Sequence, residues 1–297
     1  MNGILCVNKP QDFTSFDVVA KLRGILQMKR LGHGGTLDPM ATGVLPVFVG
    51  NATKACDIMP DNTKSYLAGF RFGCTSDTQD VWGEVQECSD MPVSREDLLA
   101  VLPEFTGKIM QLPPMYSAVQ VDGKRLYDLA RQGIEVERQP REIEVASLSV
   151  SEYDPDKREG LIEIVCGKGT YIRTIINDIG QKLGCGGIMT SLVRTSSCGF
   201  GLDDCYTFEQ IQQARDDSRL EELILPVDRV FVSLPALKLG EAQTRMYRNG
   251  VKLDLGKVRD IRSGCDDYRV YAYDGGFIGT AVADRENGIL RIGKNLG

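Results

Sequence analysis

A single histidine, His33, is all that this chain of 297 residues provides, and the scarcity excludes whole classes of chemistry. A Ser-His or Cys-His hydrolase would have to use His33 as its base, and no Gly-x-Ser-x-Gly elbow is present. A zinc site of the usual ligand set is excluded too, because the nine cysteines stand singly, with no Cys-x-x-Cys pair. No apolar run approaches the ~20 residues of a membrane span. The opening MNGILCVNKP has neither the basic nor the apolar region of a signal peptide. These absences predict a cytoplasmic protein with no membrane association and with reduced, mostly buried thiols.

Positive charge is also in short supply. Lys and Arg number 35 against 41 Asp and Glu, for a net charge of -6, which argues at first against a polyanionic partner. The distribution reverses that reading. Residues 1–54 and 230–297 each carry a net +3, and the acidity is confined to residues 55–229, at -12, so both ends of the chain are free to face a polyanion. A content of 42% hydrophobic and 26% charged residues predicts a globular fold.

GILCVNK reads as a first strand, and Thr14-Ser15 can cap a helix over FDVVAKLRGILQM. VLPVFVG and KSYLAGFRFG read as strands, and SREDLLAVLPEF as a helix capped by Ser94. YSAVQVDGKRLYDLARQG reads as strand, Asp-Gly turn and helix stopped by Gly133. REIEVASLSVSEY and LIEIVCGKG are further strands, the second leading into a helix over TYIRTIINDIGQKL. Hairpins mixed with single helices, without regular βαβ alternation, predict an α+β fold with a mixed, mainly antiparallel sheet. From about residue 231 the texture changes to short strands and tight turns, in KLDL and YRVYAYDGGFIGTAVADRENGILRIG. The expected division is a larger domain over residues 1–230 and a small all-β domain over 231–297.

The segment RLGHGGTLDPMATGVLP, residues 30–46, gathers glycines, His33 and a lone carboxylate, Asp38. Proline pins the backbone after Asp38 and the glycines free it before, so the carboxylate can be held outside regular structure, facing a substrate. A lone Asp-Pro is most often a turn whose carboxylate bonds its own backbone. GHGGT also lacks the Gly-Lys-Ser/Thr ending of a P-loop and the Rossmann spacing. Neither alternative explains why all these residues occur together.

GHGGTLDPMATGVLPV resembles, nearly letter for letter, the catalytic motif of the TruB family of tRNA pseudouridine-55 synthases, which usually has Leu where this chain has Met40. VNKPQDFTSFDVV is similar to the family's N-terminal Lys-Pro motif and KSYLAGFRFGCTSDTQDVWGEV to its tyrosine motif. GKGTYIRTIINDIGQKLG is similar to its arginine motif, and MTSLVRT to the leucine-bearing strand that follows. One departure stands out: the family usually has Gly after the Lys-Pro pair, where Gln11-Asp12-Phe13 stand here.

The resemblance implies a pseudouridine synthase catalytic domain followed by a PUA-like RNA-binding domain. It implies isomerisation of uridine 55 in the tRNA T loop, without metal, cofactor or a required protein partner. The N1–C1′ bond breaks, the uracil turns over and C5 bonds to C1′. By this resemblance Asp38 is the catalytic carboxylate, either a nucleophile at C1′ or a base at C2′. A carboxylate that stays ionised away from water needs a cation, and the arginine motif assigns Arg173 to that task. Tyr66 would stack on the flipped uracil, with Tyr171 and Leu192 walling the pocket. His33 would contact the nucleotides around the vacated space. Lys9 would support this region by packing or by bonding the backbone of the Asp38 loop. Arg245, Arg248, Lys252 and Lys294 are candidates for the acceptor-stem backbone. The competing class is a non-catalytic tRNA-binding or RNA-folding module, which would have no chemical need for Asp38, Tyr66 and Arg173. A glycoside hydrolase would need a second placed acid, and none is evident.

Overall fold

The computed structural model describes every residue from Met1 to Gly297. They form two compact units, the first made of Met1–Pro39, Gly43–Asn62 and Ser197–Gly297, the second of Met40–Thr42 and Thr63–Ser196.

The first unit opens with β1 (Gly3–Lys9), α1 (Ser15–Leu26), β2 (Leu31–His33) and β3 (Thr42–Val49). β3 runs antiparallel to both β1 and β2. Both faces of β1 are covered, which is why GILCV is an unbroken apolar run rather than an alternation. Leu5 and Val7 cluster with Val18, Val19 and Leu22 of α1, while Ile4 and Cys6 belong to a second cluster with Val44, Phe48 and Phe231. α1 starts at a reciprocal cap, as the Thr14-Ser15 pair predicts: the Thr14 hydroxyl accepts the Asp17 amide and the Asp17 carboxylate accepts the Thr14 amide. The Thr14 hydroxyl, and then its amide, hold the Asp17 carboxyl below its ordinary value.

Between β1 and α1 the chain turns at Asp12, whose φ of 66° lies in the left-handed region. Glycine enters that region freely, and Asp is one of the few other residues that visit it routinely. Asp12 therefore closes a tight turn after the Lys9-Pro10 pair.

The second unit contains β4 (Lys64–Phe72), β5 (Cys74–Ser76), β6 (Val85–Glu87), α2 (Arg95–Val101), β7 (Gly107–Gln111), β8 (Gln120–Val121) and β9 (Lys124–Arg125). It continues through α3 (Leu126–Ala130), β10 (Arg141–Asp154), β11 (Glu159–Cys166), α4 (Ile172–Lys182) and β12 (Gly187–Ser197). Its main sheet has the order β12-β4-β11-β10-β7. β11 is antiparallel to β4 and β10, and β10 to β7. Ser94 caps α2 through Asp97, and Gly133, with φ of 70°, stops the chain beyond α3.

The chain then returns to the first unit through β13 (Phe200–Gly201), α5 (Phe208–Asp216), β14 (Ala236–Lys238), α6 (Glu241–Arg248), β15 (Leu253–Asp254), β16 (Asp267–Tyr271), β17 (Phe277–Asp284) and β18 (Ile289–Asn295). The last five strands form a PUA-like sheet of order β14-β16-β17-β18-β15. It carries one helix that the strand texture hides, because α6 is short and polar and buries only Thr244 and Tyr247. This sheet does not stand apart from the N-terminal strands. Leu296 and Phe277 pack into the cluster of Ile4, Phe48 and Phe231, and the Phe231 and Phe277 rings stack with centroids 5.8 Å apart. The Asn2 side-chain amide donates to the Leu296 carbonyl at 3.2 Å. The Tyr271 hydroxyl, pushed up to about 12 by burial and by the carboxylate beside it, donates to Asp228 at 2.6 Å. No helix in the molecule is long and apolar enough to cross a membrane.

The Asp12 turn yields the first expected outcome. Asp12→Gly leaves the melting temperature unchanged or slightly higher, whereas Asp12→Val, β-branched in the left-handed region, costs about 1–2 kcal/mol and lowers it by several degrees. Thermal melts of both variants decide the matter; equal melting of the valine variant and the parent would mean the turn is not constrained.

Candidate active site

The Asp38 loop is built in the first unit by residues that grip its backbone. Lys9, at the end of β1, is wholly buried, and its ammonium donates to the carbonyls of Pro10 (2.9 Å), Phe13 (2.5 Å) and Pro39 (2.9 Å). A charge taken out of water must be compensated by such partners, so the ammonium fixes all three carbonyls. The Asp12 amide adds a second donor to the Pro39 carbonyl at 3.0 Å. On the other side of Asp38, the buried Ser15 hydroxyl accepts the Leu37 amide at 2.9 Å and donates to the Leu37 carbonyl at 3.3 Å. Asp38, itself half-buried, thus stands between two anchored neighbours.

The glycines ahead of it have separate tasks. Gly35 has φ of 124°, a conformation side chains resist. A Cβ on Gly34 would sit 3.0 Å from the Phe48 ring, and the Gly34 amide donates to the Pro46 carbonyl at 2.8 Å. His33 is half-buried at the end of β2, opposite Val47 of β3.

The second unit holds the remaining predicted residues. Tyr66 is buried in β4, opposite Ile164 of β11, and Leu192 is buried on the neighbouring β12. Tyr171 sits at the start of α4 and gives that helix no side-chain cap. The buried Gln111 of β7 instead grips Tyr171 twice, accepting its amide at 2.9 Å and donating to its carbonyl at 3.0 Å. Arg173, in the first turn of α4, is 5% exposed. Its guanidinium donates to the carbonyls of Thr78 (2.8 Å) and Tyr116 (2.9 Å), and its Nε lies 3.7 Å from the Asp80 carboxylate. Asp80 is held in turn by the Thr78 hydroxyl and the Trp82 amide. Nowhere do three or more His, Cys, Asp or Glu side chains gather in a way that could hold a metal ion.

Residues 23–172 match the N-terminal domain of the TruB family pseudouridylate synthases, and residues 173–232 match the tRNA pseudouridylate synthase B C-terminal domain. The tRNA pseudouridine synthase B of Syntrophomonas wolfei is 41% identical, over 97% of this chain and 95% of its own. The chain belongs to the TruB family of pseudouridylate synthases. A Dehalococcoides mccartyi tRNA pseudouridine synthase B is 44% identical over 87% of this chain and 86% of its own. Among solved structures, a chain of a Cbf5-Nop10-Gar1 complex superposes with a TM-score of 0.76 at 25% identity, covering 99% of this chain and 85% of that one. The TruB resemblance and the fold class expected from it are thereby established.

Several residues that shape this family member's loop and helix escape a reading of the sequence. Ser15, Gln111, Thr78, Tyr116 and Asp80 act through contacts with backbone or side chains far along the chain, and no local pattern marks them. Asp80 lies inside the recognised tyrosine motif, but TSDTQD offers two acids, and only the fold separates Asp80, beside Arg173, from Asp77, which accepts the Tyr116 hydroxyl.

The Lys9 clamp generates a second expected outcome. Lys9→Met leaves buried carbonyls without their donor and costs about 3 kcal/mol. The Leu37 and Asp12 amides then exchange with deuterium faster than in the parent. Unchanged exchange at both amides would mean that Lys9 merely fills space.

Proposed function

We propose that the protein isomerises uridine to pseudouridine in tRNA, at uridine 55 of the T loop, in the cytoplasm and without metal, cofactor or partner protein. The observation that carries the reading is Asp38, a carboxylate set between the two anchored residues Leu37 and Pro39 in a glycine-opened loop. Relatives named for this activity on tRNA match nearly the whole chain.

The reaction conserves every heavy atom of the nucleotide. The N1–C1′ bond breaks, the ring turns over, and C5 bonds to C1′ as its hydrogen leaves and N1 gains a proton. The target lies in a folded loop, so the nucleotide is first taken out of its stack. Asp38 then either attacks C1′ or removes the C2′ proton. A preset carboxylate serves both routes because its position needs no reorganisation when charge develops. In this reading Arg173 is the cation of the reaction, a planar guanidinium that stays charged when desolvated. The Thr78 and Tyr116 carbonyls aim the group, and the Asp80 carboxylate beside its Nε helps to hold a charge taken out of water. Tyr66 stacks on the uracil, Tyr171 and Leu192 bound it, and His33 fills the space the base vacates.

Residues 231–297 act in this proposal as the RNA-binding domain for the acceptor stem. Arg245 is already paired with Glu241 at 3.5 Å. Arg248 and Lys294 make no salt bridge, which supports them as the phosphate contacts.

Asp38→Asn keeps the shape and loses the anion. It is expected to abolish tritium release from tRNA labelled at uridine C5 while tRNA binding stays within a few-fold. Turnover equal to the parent would remove Asp38 from the chemistry. The paired change of Arg248 and Lys294 to Ala is expected to flatten the salt dependence of tRNA binding by about one unit of slope per lost phosphate contact, with turnover at saturating tRNA preserved. An unchanged slope would place the acceptor stem elsewhere.

A further inference from the structure

Four of the nine thiols, those of Cys6, Cys56, Cys198 and Cys205, gather around one apolar cluster, and the proposed reaction uses none of them. Two are side by side. Val7 and Tyr206 form a parallel bridge, in which the Tyr206 amide donates to the Cys6 carbonyl and the Asn8 amide to the Tyr206 carbonyl, both at 3.0 Å. That register sets Cys6 beside Cys205, whose thiol donates to the Gly201 carbonyl at 3.3 Å, and both side chains meet the same apolar cluster. Paired strands run ~4.8 Å apart, and a disulfide bridges Cα atoms ~4.4–6.8 Å apart. We propose that Cys205 and Cys6 form an oxidisable pair that closes to a disulfide under hydrogen peroxide and reopens under thiol reductants.

The two thiols differ in the way such chemistry needs. Cys205 is half-buried and reachable from solvent, whereas Cys6 is wholly enclosed. The Cys205 thiolate attacks one peroxide oxygen; the S–O bond forms, the O–O bond breaks, and hydroxide leaves and is protonated to water. Cys205 is then a sulfenic acid, oxidised by two electrons. The Cys6 sulfur attacks it; the S–S bond forms, the S–O bond breaks, and a second water leaves carrying the Cys6 proton. Before the first step the Cys6 thiol is held far above its ordinary value, by the neighbouring Cys205 side chain first and by burial second. Conversion of Cys205 to a sulfenic acid replaces that thiol partner and supplies the electrophile. The order is therefore fixed, with Cys205 first and Cys6 resolving. The closed bond ties β1, whose last residue is Lys9, to the segment ahead of α5.

The test uses the full chain, treated with one equivalent of peroxide and then unfolded in denaturant and alkylated. The expected product is lighter by two hydrogens before alkylation, has two thiols protected, and yields a peptide pair linking Cys6 to Cys205 that dithiothreitol separates. Its melting temperature rises on oxidation and falls back on reduction. Cys205→Ser is expected to abolish the link and leave Cys6 alkylatable. Cys6→Ser is expected to stop at a Cys205 sulfenic acid that dimedone labels. Should the enclosed Cys6→Ser variant fail to fold, Cys205→Ser, at a half-exposed position, still decides. A link through Cys56 or Cys198, or peroxide consumption with no link to Cys6, overturns the proposal.

Discussion

One buried ammonium organises the region around Asp38. Lys9 cannot reach water, so its charge is compensated by the main-chain carbonyls that its own turn and the Asp38 loop present. Because a desolvated cation without acceptors would cost several kcal/mol, the turn after β1 and the end of the loop are drawn to a single point. The left-handed Asp12 places its amide on that same Pro39 carbonyl, and the capped start of α1 sets Ser15 against Leu37. The Lys-Pro motif and the Asp-Pro motif, thirty residues apart, are thus two sides of one backbone clamp.

Arg173 follows related logic in the second unit, with the roles reversed. There the carbonyls of Thr78 and Tyr116 orient a guanidinium, whereas Lys9 uses its charge to orient carbonyls. The Asp80 carboxylate, 3.7 Å from the Arg173 Nε, completes the setting. The cluster of Ser76, Thr78 and Trp82 around Asp80 shapes the loop that supplies one of those carbonyls.

How much of this was legible in the sequence follows from the range of each interaction. Thr14 and Ser94 as helix caps, and Gly133 as a stop, act within a few residues and could be read directly. The α6 helix could not, because with only Thr244 and Tyr247 buried it offers no sustained apolar stripe. Gln111 gripping Tyr171 spans sixty positions, and nothing near either residue signals it. The change of texture near residue 231 was visible. What texture could not convey is that Phe277 and Leu296 share a core with Ile4 and Phe48, since apolar residues do not state which apolar partners they will meet.

That shared core has a consequence for how the molecule is made. The unit bearing Asp38 is discontinuous, closing only when Leu296 meets the cluster containing Ile4, beside the Asn2 amide that binds its carbonyl. During synthesis the N-terminal strands leave the ribosome long before their last partners exist, while the second unit, nearly continuous from Thr63 to Ser196, can fold as it emerges. Contacts between residues so far apart in sequence also form slowly. The Asp38 loop therefore reaches its final setting late, after the part of the molecule that carries Arg173 has had time to form.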